Sequence, residues 1–189
     1  LAMPIPARTV ALITSIGSAA YADFCDELLK SSFSFNVLAR DTKMQGEGSA
    51  ADIEEGLQIV ASDKPDVIAI IRGGGSTSDL LSFDSESLAR VIADSSIPIV
   101  TGIGHEIDQS VADIVSHTFY KTPTACAIGL IGTVNEFVEK ILSVKTNVVN
   151  LAHNKLTLAK SNHSNLQSRT ATIAKASLTN SNEVLTRIK

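Results

Sequence analysis

Four short apolar runs constrain the fold of this 189-residue chain more than any other feature: residues 10–13 (VALI), 35–38 (FNVL), 67–71 (VIAII) and 97–100 (IPIV). Polar or turn residues bound each run, as they do buried strands. Segments with helical spacing separate them, at about 18–31, 48–62 and 85–95. This alternation predicts an α/β fold, a mostly parallel sheet of about four to five strands with helices on both faces. Pro65 and Pro98 stand at strand entrances, where a missing N–H is tolerated. Asp52, Glu54 and Glu55 fall near the start of the second helix, where carboxylates suit the dipole.

After Pro123 the grammar changes. The stretch TPTACAIGLIG is small and apolar, and no strand pattern comes after it. From Val134 onward, Phe137, Ile141, Val144, Val148, Leu151 and Leu158 recur at heptad-like steps. Lys155, Asn162 and Asn165 interrupt that seam, and the C-terminal residues beyond it are rich in Ser, Thr and Asn. Residues 129–189 are therefore expected to form a long helix or helical hairpin, in the manner of a coiled coil that needs a partner. Charge divides at the same place. Residues 1–128 carry 8 Lys/Arg and 17 Asp/Glu, a net of −9, whereas 129–189 carry 8 and 3, a net of +5. The division predicts two parts with different tasks: an α/β domain at 1–128 and a helical extension at 129–189.

Several classes are set aside at this point. No stretch reaches the roughly 18 uninterrupted apolar residues of a membrane span, and the opening LAMPIPAR lacks the layout of a signal peptide. Cys25 and Cys126 are the only cysteines and sit in no paired ligand motif, so reduced thiols and a cytoplasmic setting are expected. The chain has no GxxxxGK[ST] phosphate loop, no GxSxG elbow and no Cys/His zinc pattern. Water is thus the expected nucleophile of any hydrolysis.

In open α/β sheets, ligands gather at the carboxyl ends of the strands. Four peptides fall there: TSIGSAA (14–20), KMQGEGSA (43–50), RGGGS (72–76) and GIGHEIDQSVAD (102–113). Each precedes an expected helix start, where free N–H groups favour anions, phosphate above all. Thr14, Ser15, Gln45, Gly46, Gly73, Gly74, Gly75 and Ser76 are the candidate phosphate-binding residues. Arg72 is the candidate clamp, since a guanidinium grips two phosphate oxygens at once. RGGGS alone also suits a plain tight turn with its arginine in solvent. His105 and Asp108, three apart, would share a helix face, with Asp108 orienting an imidazole that acts as acid or base. A histidine between Gly and Glu is equally a helix-cap residue. Asp23 is a candidate second carboxylate on the first helix, and Glu106 a neighbour that could cap or bind a cation.

The peptides ALITSIGSAAYADFCDELL (11–29), MQGEGSAADI (44–53), the long block DVIAIIRGGGS…GIGHEIDQSVADIVSH (66–117) and TPTACA (122–127) together resemble the catalytic region of the exodeoxyribonuclease VII large subunit. The likeness runs in order from about Pro4 to Ala127. It implies hydrolysis of phosphodiester bonds in single-stranded DNA to short oligonucleotides, with Asp23, Arg72, His105 and Asp108 as the catalytic residues. It also implies no strict metal requirement, with Mg²⁺ an admissible ion and no residue assigned as its ligand. A small helical subunit that assembles on residues 129–189 and an upstream OB-fold domain in the full-length protein are further implications. Three other readings of the residues stay open: a metal-dependent variant in which Asp23, Glu106 and Asp108 jointly carry Mg²⁺, a phosphate or nucleotide sensor without turnover, and an assembly module whose sheet only caps the helix.

Overall fold

A computed structural model describes residues 1–74, 77–104 and 109–187. Strands β1 (Thr9–Thr14), β2 (Asn36–Asp41), β3 (Val67–Ile71), β4 (Ile99–Gly102) and β5 (Thr118–Phe119) form one sheet. Helices α1 (Ala19–Lys30), α2 (Ser49–Ser62), α3 (Glu86–Ala93), α4 (Val111–Val115) and α5 (Pro123–Arg187) lie between the strands or after them. The sheet order is β2-β1-β3-β4-β5, and every pairing is parallel. All carboxyl ends therefore lie along one edge.

Alternation along the strands sorts side chains between two faces. Val10 and Leu12 of β1, with Val67, Ala69 and Ile71 of β3, pack against Ala20, Phe24 and Leu28 of α1 and Cys126, Ala127 and Leu130 of α5. Ala11 and Ile13, with Ile68 and Ile70, pack on the other side against Ile53, Leu57 and Val60 of α2 and Leu88 and Ile92 of α3. β3 is central and buried along its whole length, which is why VIAII reads as a continuous apolar run. The expected fold, helices on both faces of a parallel sheet, is what the chain adopts.

Two elements leave no clear mark in the sequence pattern. A 3-10 helix at Thr77–Asp84 occupies what read as loop before the third helix. In its sequence TSDLLSFD, Leu80 and Phe83 enter the core while Ser82 meets Ser49 and Asp84 accepts from the Val111 N–H, which makes no helical stripe. The fifth strand spans two residues at the sheet edge, where Phe119 is half exposed and no apolar run marks it.

The chain divides into two compact units, Leu1–Val138 and Glu139–Lys189. In the first unit, Leu130 and Val134 of α5 are buried, and Cys126 is fully so. Burial pushes the Cys126 thiol far above its ordinary range, so it stays protonated and serves as packing. In the second unit, Ile141, Val144, Val148, Leu151 and Leu158 of the helical seam are all more than half exposed. A helical hairpin is not formed among the described residues: α5 is one helix. No helix among them is long and apolar enough to cross a membrane.

Candidate anion site at the carboxyl edge

From β1 the chain crosses to β2 on one side and then to β3 on the other. The helices that carry these two crossovers leave on opposite faces, and a crevice opens between the ends of β1 and β3. A cavity of about 530 Å³ lies there, lined by Thr14, Ser15, Ser18, Ala19, Ala20, Lys43, Met44, Gln45, Arg72, Gly73 and Gly74. It is large enough for a nucleotide.

Three chain segments build it. The β1–α1 turn supplies Thr14, Ser15 and the start of α1. Ser18 caps that helix, its hydroxyl accepting from the Tyr21 N–H at 3.2 Å. Asp41 holds the turn from below by accepting from the Ile16 N–H at 2.8 Å.

The β2–α2 loop supplies Lys43, Met44 and Gln45. The Lys43 N–H donates to the Asp52 carboxylate at 2.6 Å, and its ammonium donates to the Glu47 carbonyl at 2.6 Å. Asp52 thus ties the loop to α2 as well as facing the helix dipole. Gly46 and Gly48 both take φ of +82°, a left-handed conformation that glycine adopts without strain. Ser49 pins the same loop, its hydroxyl donating to the Gly46 carbonyl at 2.7 Å and meeting Ser82 Oγ at 2.5 Å.

The third segment comes directly after β3. Arg72 is 3% exposed, and its N–H donates to the Gly102 carbonyl at 3.2 Å, continuing the β3–β4 pairing. Gly73 and Gly74 do not have positive φ. A Cβ at Gly73 would meet only the Ala20 side chain and backbone at 3.6–3.9 Å, and one at Gly74 would enter open space. A sharp bend is therefore not what glycine serves at these two positions. The absence of side chains keeps the cavity wall open and leaves the backbone accessible.

Hydroxyls, a side-chain amide and two cationic residues make up the polar lining, and no carboxylate is among the described residues there. Such a lining complements an anion. Thr14 is 1% exposed, and its Oγ1 has no hydrogen-bond partner among the described residues. No group of three or more potential metal ligands occurs among the described residues.

The structure thus brings Thr14, Ser15, Gln45, Arg72, Gly73 and Gly74 to one cavity, with Gly46 next to Gln45 in its loop. Asp23 lies one turn beyond Ala19 on α1, is exposed and does not line the cavity. Gly75, Ser76, His105, Glu106 and Asp108 lie outside the described residues. The chain on either side of 105–108 is anchored to the same edge. Ile103 is buried after β4, and Thr101 donates to Asp113 Oδ1 at 2.5 Å. Asp113 Oδ2 accepts from the Ser110 N–H at 3.1 Å and from its hydroxyl at 2.8 Å. This capping box starts α4 against β4. Ser18 and Lys43 also line the cavity without having been singled out. A helix-capping serine and a loop lysine have many ordinary uses, and nothing in their spacing separated them.

A protein-family model described as exonuclease VII, large subunit, matches residues 1–189. The exodeoxyribonuclease 7 large subunit of Clostridium kluyveri is 34% identical over 153 residues, covering 80% of this chain and 38% of that protein. That of Campylobacter fetus is 38% identical over 141 residues, 73% of this chain and 36% of the relative. The chain therefore spans well under half the length of these relatives. Among solved structures, a cobalamin-binding protein from Desulfitobacterium hafniense is similar at 16% identity with a TM-score of 0.41, over 66% of this chain and 56% of that one. On the family match and the extent of these identities, the chain belongs to the exonuclease VII large-subunit family.

Proposed function

We propose that the chain is the catalytic part of an exodeoxyribonuclease that hydrolyses phosphodiester bonds of single-stranded DNA to short oligonucleotides. The observation that carries this reading is the cationic cavity at the β1/β3 crevice, with Arg72 and the Gly73–Gly74 backbone in its wall and no carboxylate among its described lining residues, in a chain of this family. Arg72 and the backbone N–H groups of the RGGGS loop bind the non-bridging oxygens and stabilise the charge of the transition state. Water attacks phosphorus as the bond to the leaving oxygen breaks. One proton leaves the water and one reaches the departing oxygen. His105, oriented by Asp108, handles one of these protons, and Asp23 positions or activates the water.

In a metal-dependent variant of the reaction, Asp23, Glu106 and Asp108 would together hold Mg²⁺, which would lower the pKa of its bound water. The strand is delivered by an OB-fold domain elsewhere in the full-length protein. Residues 129–189 assemble with a small helical subunit, which covers the exposed seam of Ile141, Val144, Val148, Leu151 and Leu158.

The test uses end-labelled single- and double-stranded DNA with the full-length protein and its helical partner, in EDTA and in Mg²⁺. Cleavage confined to the single strand is expected, and persistence in EDTA would assign the chemistry to side chains alone. Equal cleavage of duplex DNA, or binding without turnover in either condition, would overturn the proposal.

A further inference from the structure

We infer that Thr14 and the first turn of α1 form a second phosphate position, which holds the phosphate adjacent to the scissile one. The inference rests on the nuclease reading for the identity of that neighbour, but its own evidence lies in β1 and α1.

Thr14 ends β1, and its side chain falls two residues beyond Leu12 and four beyond Val10. Those two pack against α1, so alternation puts the Thr14 hydroxyl on the α1 side of the sheet. There Oγ1 is buried, has no partner among the described residues, and belongs to the cavity wall. A strand end that wanted only packing would carry valine, which has the same shape without a hydroxyl to satisfy.

The 12-residue helix α1 begins beside it. Ser18 Oγ accepts from Tyr21 N–H, and Ser18 O accepts from Ala22 N–H, both at 3.2 Å. The N–H groups of Ala19 and Ala20 have no carbonyl within the helix to receive them, as holds for the first residues of any helix. Both alanines line the cavity, and their small side chains leave the helix end approachable. Hydroxyl, two amide donors and the positive end of a helix dipole thus face one cavity.

This helix end is not where bond cleavage is proposed. β1 and β4 flank β3, so their ends are two strand spacings apart, about 10 Å. Gly73, whose backbone is proposed to hold the scissile phosphate, adjoins this helix end, since a Cβ on it would lie 3.9 Å from Ala20 N. Arg72, at the end of the strand between them, lines the same cavity as Thr14. The natural occupant is a second phosphate of the same strand. No aromatic ring is among the described lining residues, so this position reads phosphate and sugar and gives no stacking platform for a base.

The test measures binding of thymidine 3′,5′-bisphosphate and thymidine 5′-monophosphate by calorimetry, with Thr14→Val and Thr14→Ser beside the unaltered chain. The bisphosphate is expected to bind at least tenfold more tightly than the monophosphate. Thr14→Val should erase that advantage, a ten- to hundredfold loss typical of a hydrogen bond to a charged group, and Thr14→Ser should keep most of it. Thr14→Val should also melt at a higher temperature, because it removes an unsatisfied buried hydroxyl, an outcome opposite to that of a damaged fold. An unchanged preference in Thr14→Val, or no preference in the unaltered chain, would overturn the inference. Strand cleavage that proceeds with undiminished affinity in Thr14→Val would leave the nuclease reading standing and remove this site. Thr14-dependent phosphate binding in a complex that never cleaves DNA would keep the site and remove the nuclease.

Discussion

Replacing Arg72 with alanine is expected to lower single-strand cleavage by at least about 10²-fold, with most of the loss in kcat. That is the usual consequence of removing a main stabiliser of transition-state charge. The size of the loss reflects where the residue sits. Arg72 is 3% exposed at the end of the central strand, in the wall of the cavity, so water cannot substitute for its charge. Arg72→Lys should recover only part of the rate. A lysine retains the charge but presents no planar fork to two phosphate oxygens. Steady-state rates on a labelled oligonucleotide, with circular dichroism to confirm the fold, decide the matter. A loss of less than tenfold would remove Arg72 from the mechanism.

Phe24→Ala is expected to be the most damaging single truncation on the α1 side of the sheet, costing about 3–5 kcal/mol. Phe24 is fully buried, and it fixes α1 against Val10 and Leu12 of β1 and Ile71 of β3. Removing the ring leaves a void that backbone on either side cannot collapse to fill. With a denaturant dependence of about 2 kcal/mol/M, the urea midpoint should fall by about 2 M. Because α1 also supplies Ser18, Ala19 and Ala20 to the cavity, the folded fraction should lose affinity for phosphate as well. A midpoint shift corresponding to less than about 1 kcal/mol would contradict the packing of α1 on β1 and β3.

The sheet was legible because its inner strands are buried on both faces, and burial on both faces leaves an uninterrupted apolar run such as VIAII. β5 left no such mark. It is two residues at an edge, with Phe119 half exposed, and its place is set by the Tyr120 N–H donating to Thr101 O at 2.8 Å, a tertiary contact that no local pattern encodes. The 3-10 helix at Thr77–Asp84 was hidden for a similar reason, since Leu80 and Phe83 are the two of its described side chains that reach the core.

The site was legible in outline because a parallel sheet sends all its strand ends to one edge. Thr14, Arg72 and Gln45 are far apart in sequence yet line one cavity, as strand-end residues on both sides of the crossover reversal must. The reason for the glycines after Arg72 was only half legible. Three in succession suggested a tight bend or a close approach. Gly73 and Gly74 do not take positive φ, and the space beside Gly74 is open, which favours access to the cavity over backbone conformation. Ser18 and Lys43 were not distinguishable from ordinary capping and loop residues, because their place in the wall depends on how α1 and the β2–α2 loop meet across the end of β1. The role proposed for the 105–108 segment rests on its residue types and on the anchoring of Ile103 and Ser110 to either side.

Cleavage at this edge requires that a DNA strand enter the crevice between β1 and β3. The direct test is amide chemical-shift mapping of the isotope-labelled chain titrated with the short single strand pTpT, carrying a non-hydrolysable phosphorothioate link. The largest shifts are expected at Thr14, Ser15, Ala19, Ala20, Gly73 and Gly74. Shifts confined to residues 139–187, with those six unmoved at saturation, would contradict it.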